Sequence, residues 1–348
     1  MGMNRRSFLS KSIGGSIALG VGCTGTNDVT KSLPESPVWQ DDFQINPAIN
    51  NRKVVCCNDP NMIDVTDDAS TFARQNASIN NERVSQNMDT MVERLTGKTG
   101  ASQAWATIFR KPETKSWKEV KAAIKVNGFN IRIMPRIAIV GKVCNELINL
   151  GMRAENISVY DAGHGATGDR KYTPYIGNGL PAGTVVSDGK QHGTTMVGEE
   201  RQACTMMVLE SDILVNCAVN KGHGQLGLGC FTLTMKNHTG TIKFSCPTIT
   251  EMVNQNKSAA IIGGSPVRQQ LCIVDSLWAS ETGPNDPPSH VTNRIVMGTL
   301  GPLVDVAVAR NIREKIMEAS HNDWVIASIC EDFGYDESDI EWDEFSPG

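Results

Sequence analysis

Asp212-Ile-Leu-Val-Asn-Cys-Ala-Val219 is an almost unbroken apolar run, and Asn220-Lys221-Gly-His223 follows it directly. A short continuous run of this kind predicts a strand covered on both faces, as happens where helices pack above and below a parallel sheet. Similar runs flank it. Residues 120–126 close on Asn127-Gly128, Ile157-Ser-Val-Tyr160 closes on Asp161, 271–274 close on Asp275, and 294–297 form a further strand. Helical spacing lies between them. Val84, Met88, Met91, Val92 and Leu95 recur on one face and stop at Gly97, and Pro135 opens a helix through Ile137, Val140, Val143 and Leu147 to Gly151. Residues 248–256 predict a short helix and 303–317 an apolar one, whereas 169–198, rich in Gly and Thr, read as loop. Strands alternating with helices predict an α/β fold, a layered and mainly parallel β-sheet flanked by helices.

The chain has 348 residues, 20% of them charged, and a formal net charge of −5. The acids crowd the end, at Glu331, Asp332, Asp336, Glu337, Asp339, Glu341, Asp343 and Glu344, and without them and the leader the body is neutral. A neutral body lacks the basic face of an electrostatic nucleic-acid binder, so no nucleic-acid partner is expected. Residues 331–348 read as an acidic C-terminal tail, and the stretch from Asp336 onward as dispensable for folding unless Ile340, Trp342 and Phe345 dock as a short arm.

The other terminus reads as a leader. Arg5-Arg6-Ser-Phe-Leu9 precedes an apolar, Gly-rich run from Ile13 to Gly22 that is too short to span a bilayer. This string resembles the bacterial twin-arginine signal. The resemblance implies a signal peptide over 1–30, the twin-arginine translocase as partner during export, and a periplasmic or extracytoplasmic location. Cys23 after Leu19-Gly-Val-Gly22 loosely resembles a lipoprotein processing site, so a lipid there is the one membrane contact expected. Residues 31–83 read as linker and N-terminal extension, and 84–330 as the α/β domain.

Ten cysteines are present with no C-x-x-C and no ferredoxin run, so their spacing offers no iron–sulfur cluster. Cys217 and Cys272 sit in apolar runs and read as small buried residues. The vicinal pair Cys56-Cys57 suits either a redox or metal contact or, more simply, a strand end. Gly163, Gly165 and Gly168 have G-x-G-x-x-G spacing, but Asp169-Arg-Lys-Tyr-Thr-Pro174 is a poor start for the helix that a dinucleotide site requires.

Ligands of such sheets bind at the carboxyl ends of the strands. The groups found there are Lys125 and Asn127, Asp161 and His164, Asn220, Lys221 and His223, and Asp275. Met235-Lys236-Asn237-His238-Thr-Gly240 adds a second amine and imidazole cluster beyond a Gly-rich stretch. Lys125, Lys221 and Lys236, with Asn127, Asp161 and Asn237, suit an anionic group such as a phosphate or carboxylate. His223 and His238 would carry protons beside Lys221, or ligate a divalent metal. Asp161, Asp275 and Asp305 would orient these groups, and Asp275 and Asp305 are the candidate metal ligands.

The ordered set I-K-V-N at 124–127, V-Y-D-A-G at 159–163, D-I-L-V-N at 212–216, N-K-G-H at 220–223 and M-K-N-H-T-G at 235–240 resembles the domain of unknown function 362 family over about 84–330. The resemblance implies an α/β fold and this strand-end site. Some relatives carry a ferredoxin-type domain that this chain lacks, and the family supplies no established reaction. The expectation is an exported, enzyme-like protein binding an anionic small molecule or cofactor, with metal-assisted redox or isomerisation chemistry. The alternative is a periplasmic or surface protein that binds its ligand or partner without turnover.

Overall fold

Alternation along the strands divides the apolar residues between two layers. In a computed structural model, Ile213, Val215 and Cys217 enter one hydrophobic cluster while Leu214 enters the other; Leu271 and Ile273 oppose Cys272 and Val274, and Val55 and Cys57 oppose Val54 and Cys56. Both faces of the sheet are thus covered, and the fold is layered α/β. The structure describes residues 39–40, 43–64, 69–128, 132–161, 179–187, 192–224, 231–242, 247–283 and 286–348. The leader, Cys23 and the Gly163–Gly168 turn lie outside these. Among the described residues, no helix is long and apolar enough to cross a membrane.

The strands are β1 (Lys53–Asn58), β2 (Ala122–Val126), β3 (Ile157–Tyr160), β4 (Val185–Ser187), β5 (His192–Val197), β6 (Glu200–Thr205), β7 (Ile213–Gly222), β8 (Phe231–Thr232), β9 (Gln269–Ser280), β10 (His290–Gly298) and β11 (Glu341–Phe345). The main sheet runs β11-β1-β10-β9-β7-β2-β3-β4, with β8 against the end of β7, and β5 pairs β6 as a separate hairpin. The stretch from β9 to β4 is parallel, while β10 is antiparallel to both neighbours.

The helices are α1 (Phe72–Ala77), α2 (Asn81–Thr96), α3 (Ala101–Ile108), α4 (Ile137–Asn149), α5 (Met206–Leu209), α6 (Thr234–Asn237), α7 (Ile249–Asn256), α8 (Gly301–Val308) and α9 (Asp323–Phe333). Residues of α1–α4 pack on the face of Ile213, and those of α5–α9 on the face of Leu214. Helix α2 shows why these elements start and stop. Asn80 accepts from Arg83 N at 3.0 Å at its N-terminus, and Gly97 ends it in the left-handed region at φ 66°.

The connection from β2 through α4 to β3 moves one way across the sheet, and that from β7 through α6 and α7 to β9 moves the other way. Crossovers are right-handed, so opposite directions place their helices on opposite faces. Strands β2 and β7 are neighbours in this pattern, which makes the gap between their carboxyl ends the point where the topology reverses.

Several expectations are corrected. Residues 31–83 are more than an extension, since β1 is an internal strand and α1 and the start of α2 fall before residue 84. Residues 169–198 contain β4 and β5. The expected helix over 303–317 gives way after Val308 to a π-helical segment, Ala309–Glu314. The acidic tail is also absent as such. Residues 331–333 end α9, and β11 pairs β1 in parallel, with Phe345 9% exposed. Its acids meet cations of the body: Asp343 lies 2.7 Å from Arg94 and 3.4 Å from Lys53, Glu344 3.0 Å from Arg294, and Glu337 2.6 Å from Arg310. A run of like charges that pairs outward in this way need not be solvated.

Candidate anion site at the crossover point

Strand β7 outruns its neighbour. The last register pair with β2 is Val126 with Cys217, yet β7 continues to Gly222. That overhang of five residues is about 16 Å of strand at ~3.3 Å per residue. On the other side β9 keeps pace, pairing Lys221 with Ser280, and β8 pairs Lys221 with Thr232. Lys221 therefore stands on the overhanging rim of β7, beyond the end of β2.

Two further residues fix that rim. Arg313, in the π-helical segment, donates to Asn220 Oδ1 at 2.8 Å, Ser280 O at 3.2 Å and Glu281 O at 2.8 Å, tying the ends of β7 and β9 together. A Cβ at Gly222 would run into the carbonyl oxygens of Glu281 and Thr282, so the close approach of the two chains requires glycine.

The three lysines are held differently. Lys125 is buried, and its Nζ donates to Val126 O at 2.7 Å, Asp161 Oδ1 at 2.8 Å and Asn237 Oδ1 at 2.9 Å. The other Asp161 oxygen accepts from Gly128 N at 2.8 Å. Lys125 is thus a fully coordinated ammonium with its own counter-ion. Lys221 is equally buried, and among the described residues its Nζ has one acceptor, Asn127 Oδ1 at 2.6 Å. Burial pushes its pKa down to about 7; Asp161 opposes this, while Lys125 and Lys236 push the same way. Half-buried His223 is pushed down to about 4 by burial and then by the charges of Lys236 and Lys221, so its imidazole is neutral at pH 7. Lys236, on α6, is 9% exposed.

Helix α6 is a single turn of four residues, too short to stand alone, and Asp305 of α8 secures it. One Asp305 oxygen accepts from Thr234 N at 2.8 Å and from the Thr234 hydroxyl, and the other from Met235 N at 2.9 Å. Burial raises the Asp305 pKa to about 7. The turn presents Asn237 between Lys125 and Asn216, donating to Asn216 Oδ1 at 2.8 Å.

The structure therefore brings Lys125, Asn127, Asp161, Lys221, His223, Lys236 and Asn237 to the carboxyl edge of β2, β3 and β7. His238 lies elsewhere. Its Nε2 meets Gln269 Oε1 at 2.6 Å and Asn216 Nδ2 at 2.9 Å, and its Nδ1 meets Thr241 Oγ1 at 3.3 Å, which in turn reaches the Tyr160 hydroxyl at 2.8 Å. Fully buried and pushed down to about 3, it is a neutral ring whose two nitrogens serve the interior.

Asp275 and Asp305 do not form a joint metal site. Asp275 is on the α4 side, accepting from Arg136 N at 2.7 Å and Leu277 N at 3.1 Å beside the Arg136 guanidinium at 3.3 Å. Asp305 packs on the opposite face. Among the described residues, no three His, Cys, Asp or Glu side chains converge as a metal site would need. Cys56 and Cys57 are strand residues of β1, both buried, with the Cys57 thiol pushed up to about 12.

Asn216, Thr234, Gln269 and Arg313 are site-supporting residues that the sequence reading passed over. The signal was present for the first. Asn216 and Asn220 interrupt an otherwise apolar strand and, four residues apart, point to the same face, where each finds a hydrogen-bonding partner.

Residues 185–310 match the family described as Domain of unknown function (DUF362). The match runs from β4 into the π-helical segment, and includes Lys221, His223, Lys236, Asn237 and Asp305, while Lys125, Asn127 and Asp161 precede it and Arg313 follows it. The chain matches no curated protein.

Proposed function

We propose that the chain binds an anionic small molecule or cofactor, through a phosphate or carboxylate group, in the gap between the carboxyl ends of β2 and β7. One observation carries this reading: at a topological reversal the buried Lys221 amine stands within electrostatic reach of both Lys125 and Lys236, with Asp161, the ion-pair partner of Lys125, as the carboxylate acting on it. Like charges repel by a few kcal/mol at such range, and an anion relieves them. The DUF362 likeness extends, on this reading, over 84–330, because Lys125, Asn127 and Asp161 complete a site that the matched segment begins. The leader would take the folded protein across the membrane by the twin-arginine route.

Isothermal titration with inorganic phosphate, pyrophosphate and oxalate tests the site. Wild type should bind at least one of them, more weakly as salt rises. Lys236→Met should bind about tenfold more weakly, the equivalent of ~1.4 kcal/mol. Failure of all three anions to bind wild type at low salt would refute the proposal.

A further inference from the structure

The contrast between Lys125 and Lys221 deepens the anion-site reading, on which this inference rests. Both amines are removed from water within one cluster. An ammonium has three N–H groups to place. Lys125 places all three, on a carbonyl, a carboxylate and an amide oxygen, whereas among the described residues Lys221 has only Asn127 Oδ1. A buried N–H without an acceptor is costly, and shedding the proton halves the mismatch, from two unmatched N–H groups to one. We propose that Lys221 is a nucleophilic amine that forms an imine with a small ligand carrying both an aldehyde or ketone carbonyl and an anionic group.

The setting suits that chemistry. Desolvation and a neighbouring cation are the two means by which proteins activate lysine, and Lys221 has both. Its backbone is held by β8 and β9, and Asn127 orients the amine by one N–H, leaving the lone pair available. The lone pair attacks the carbonyl carbon, the C–O π pair moves to oxygen, and a proton passes from nitrogen to that oxygen to give a carbinolamine. Transfer of the remaining nitrogen proton to the same oxygen then breaks the C–O bond, forms C=N and releases one water. His223, a neutral imidazole beside Lys221, is the group placed to carry these protons. Lys236 would hold the ligand's anionic end.

At pH 7.5 an amine titrating near 7 is about three-quarters neutral, and an ordinary lysine near 10.4 is neutral in about one molecule in a thousand. The full-length protein is incubated with pyridoxal 5′-phosphate at that pH, reduced with borohydride and mapped by peptide mass spectrometry. The expected result is a pyridoxyl adduct on Lys221, formed roughly a hundredfold faster than on exposed Lys118, slowed by inorganic phosphate and by use of pyridoxal without its phosphate. Lys125 should stay unmodified, and Lys221→Arg should lose the adduct. Adducts on surface lysines or Lys125 with none on Lys221 would overturn the inference, and the wild-type map decides this even if the variant misfolds. Phosphate binding by calorimetry without a Lys221 adduct would sink the imine and leave the anion site standing. Absence of both would sink the two together.

Discussion

Replacing Lys221 with Met reads the site through stability. The unfolded chain keeps the Lys221 proton to about pH 10.4, whereas the folded chain releases it near 7. Between those values the unfolded state carries more protons, so the group's contribution to stability rises with pH across that window and is least favourable below pH 7. At ~1.4 kcal/mol per pH unit, this cost is roughly 5 kcal/mol at pH 6 and roughly 2 kcal/mol at pH 9. Methionine keeps the length without the charge, and leaves Asn127 Oδ1 unpaired for about 1–3 kcal/mol. The variant should therefore exceed wild type by about 2–4 kcal/mol at pH 6 and match it at pH 9. Urea unfolding at both pH values measures the difference, and the titrations of His238 and Asp305, common to both chains, cancel in it. A variant less stable than wild type by the same margin at both pH values would show that Lys221 is a paired structural ammonium.

Three further outcomes are expected. Asn127→Asp, which sets a carboxylate against Lys221, should return the amine to a fixed charge, flatten the pH dependence of stability between 7 and 10 and weaken phosphate binding; an unchanged pH slope by urea unfolding would contradict this. Ending the chain after Gly334 should lower stability by about 2–4 kcal/mol in the same assay, since it removes the β11 ladder and the burial of Phe345 and leaves β1 as a bare sheet edge. In the bacterial host, Arg5→Lys/Arg6→Lys should accumulate in the cytoplasm by fractionation and immunoblot, and undiminished export would remove the twin-arginine proposal.

Much of the parallel layer was legible because its signals are local. The apolar run before Lys221 needs both faces covered whatever the neighbours are, and α2 and α4 carry their periodicity and their stops within themselves. What was not legible depends on distant partners. Strand β11 looks like a charged tail until Lys53, Arg94 and Arg294 are placed opposite Asp343 and Glu344. Lys53-Val-Val-Cys-Cys57 is short, and only pairing with β10 and β11 makes it an internal strand. The site followed the same division. Strand ends could be read from the sequence, so the groups beyond β2, β3 and β7 were found. The roles of His238, Asp275 and Asp305 could not, because a buried polar residue's role is set by the atoms around it. His238 finds Gln269 and Thr241, Asp275 finds Arg136, and Asp305 finds the amides of α6.

The unequal treatment of the lysines follows from the lengths of the strands they stand on. Lys125 lies one residue before the end of β2, with β3 and β7 paired on either side and α6 against it, so acceptors from three directions converge on its amine. Lys221 lies beyond the point where β2 has ended, with β9 and β8 against its backbone and, among the described residues, only the Asn127 side chain reaching it from the β2 side. A strand that outruns its neighbour loses wall on that side, and the lost wall is where acceptors would have stood. The same overhang therefore leaves one amine of the cluster with fewer acceptors among the described residues. Asp305, on the opposite end of the network, completes the arrangement by fixing the turn that carries Lys236 and Asn237. If Lys125 and Asp161 supply the fixed charge and Asp305 the fixed frame, Lys221 is the group left to change its state when a ligand arrives.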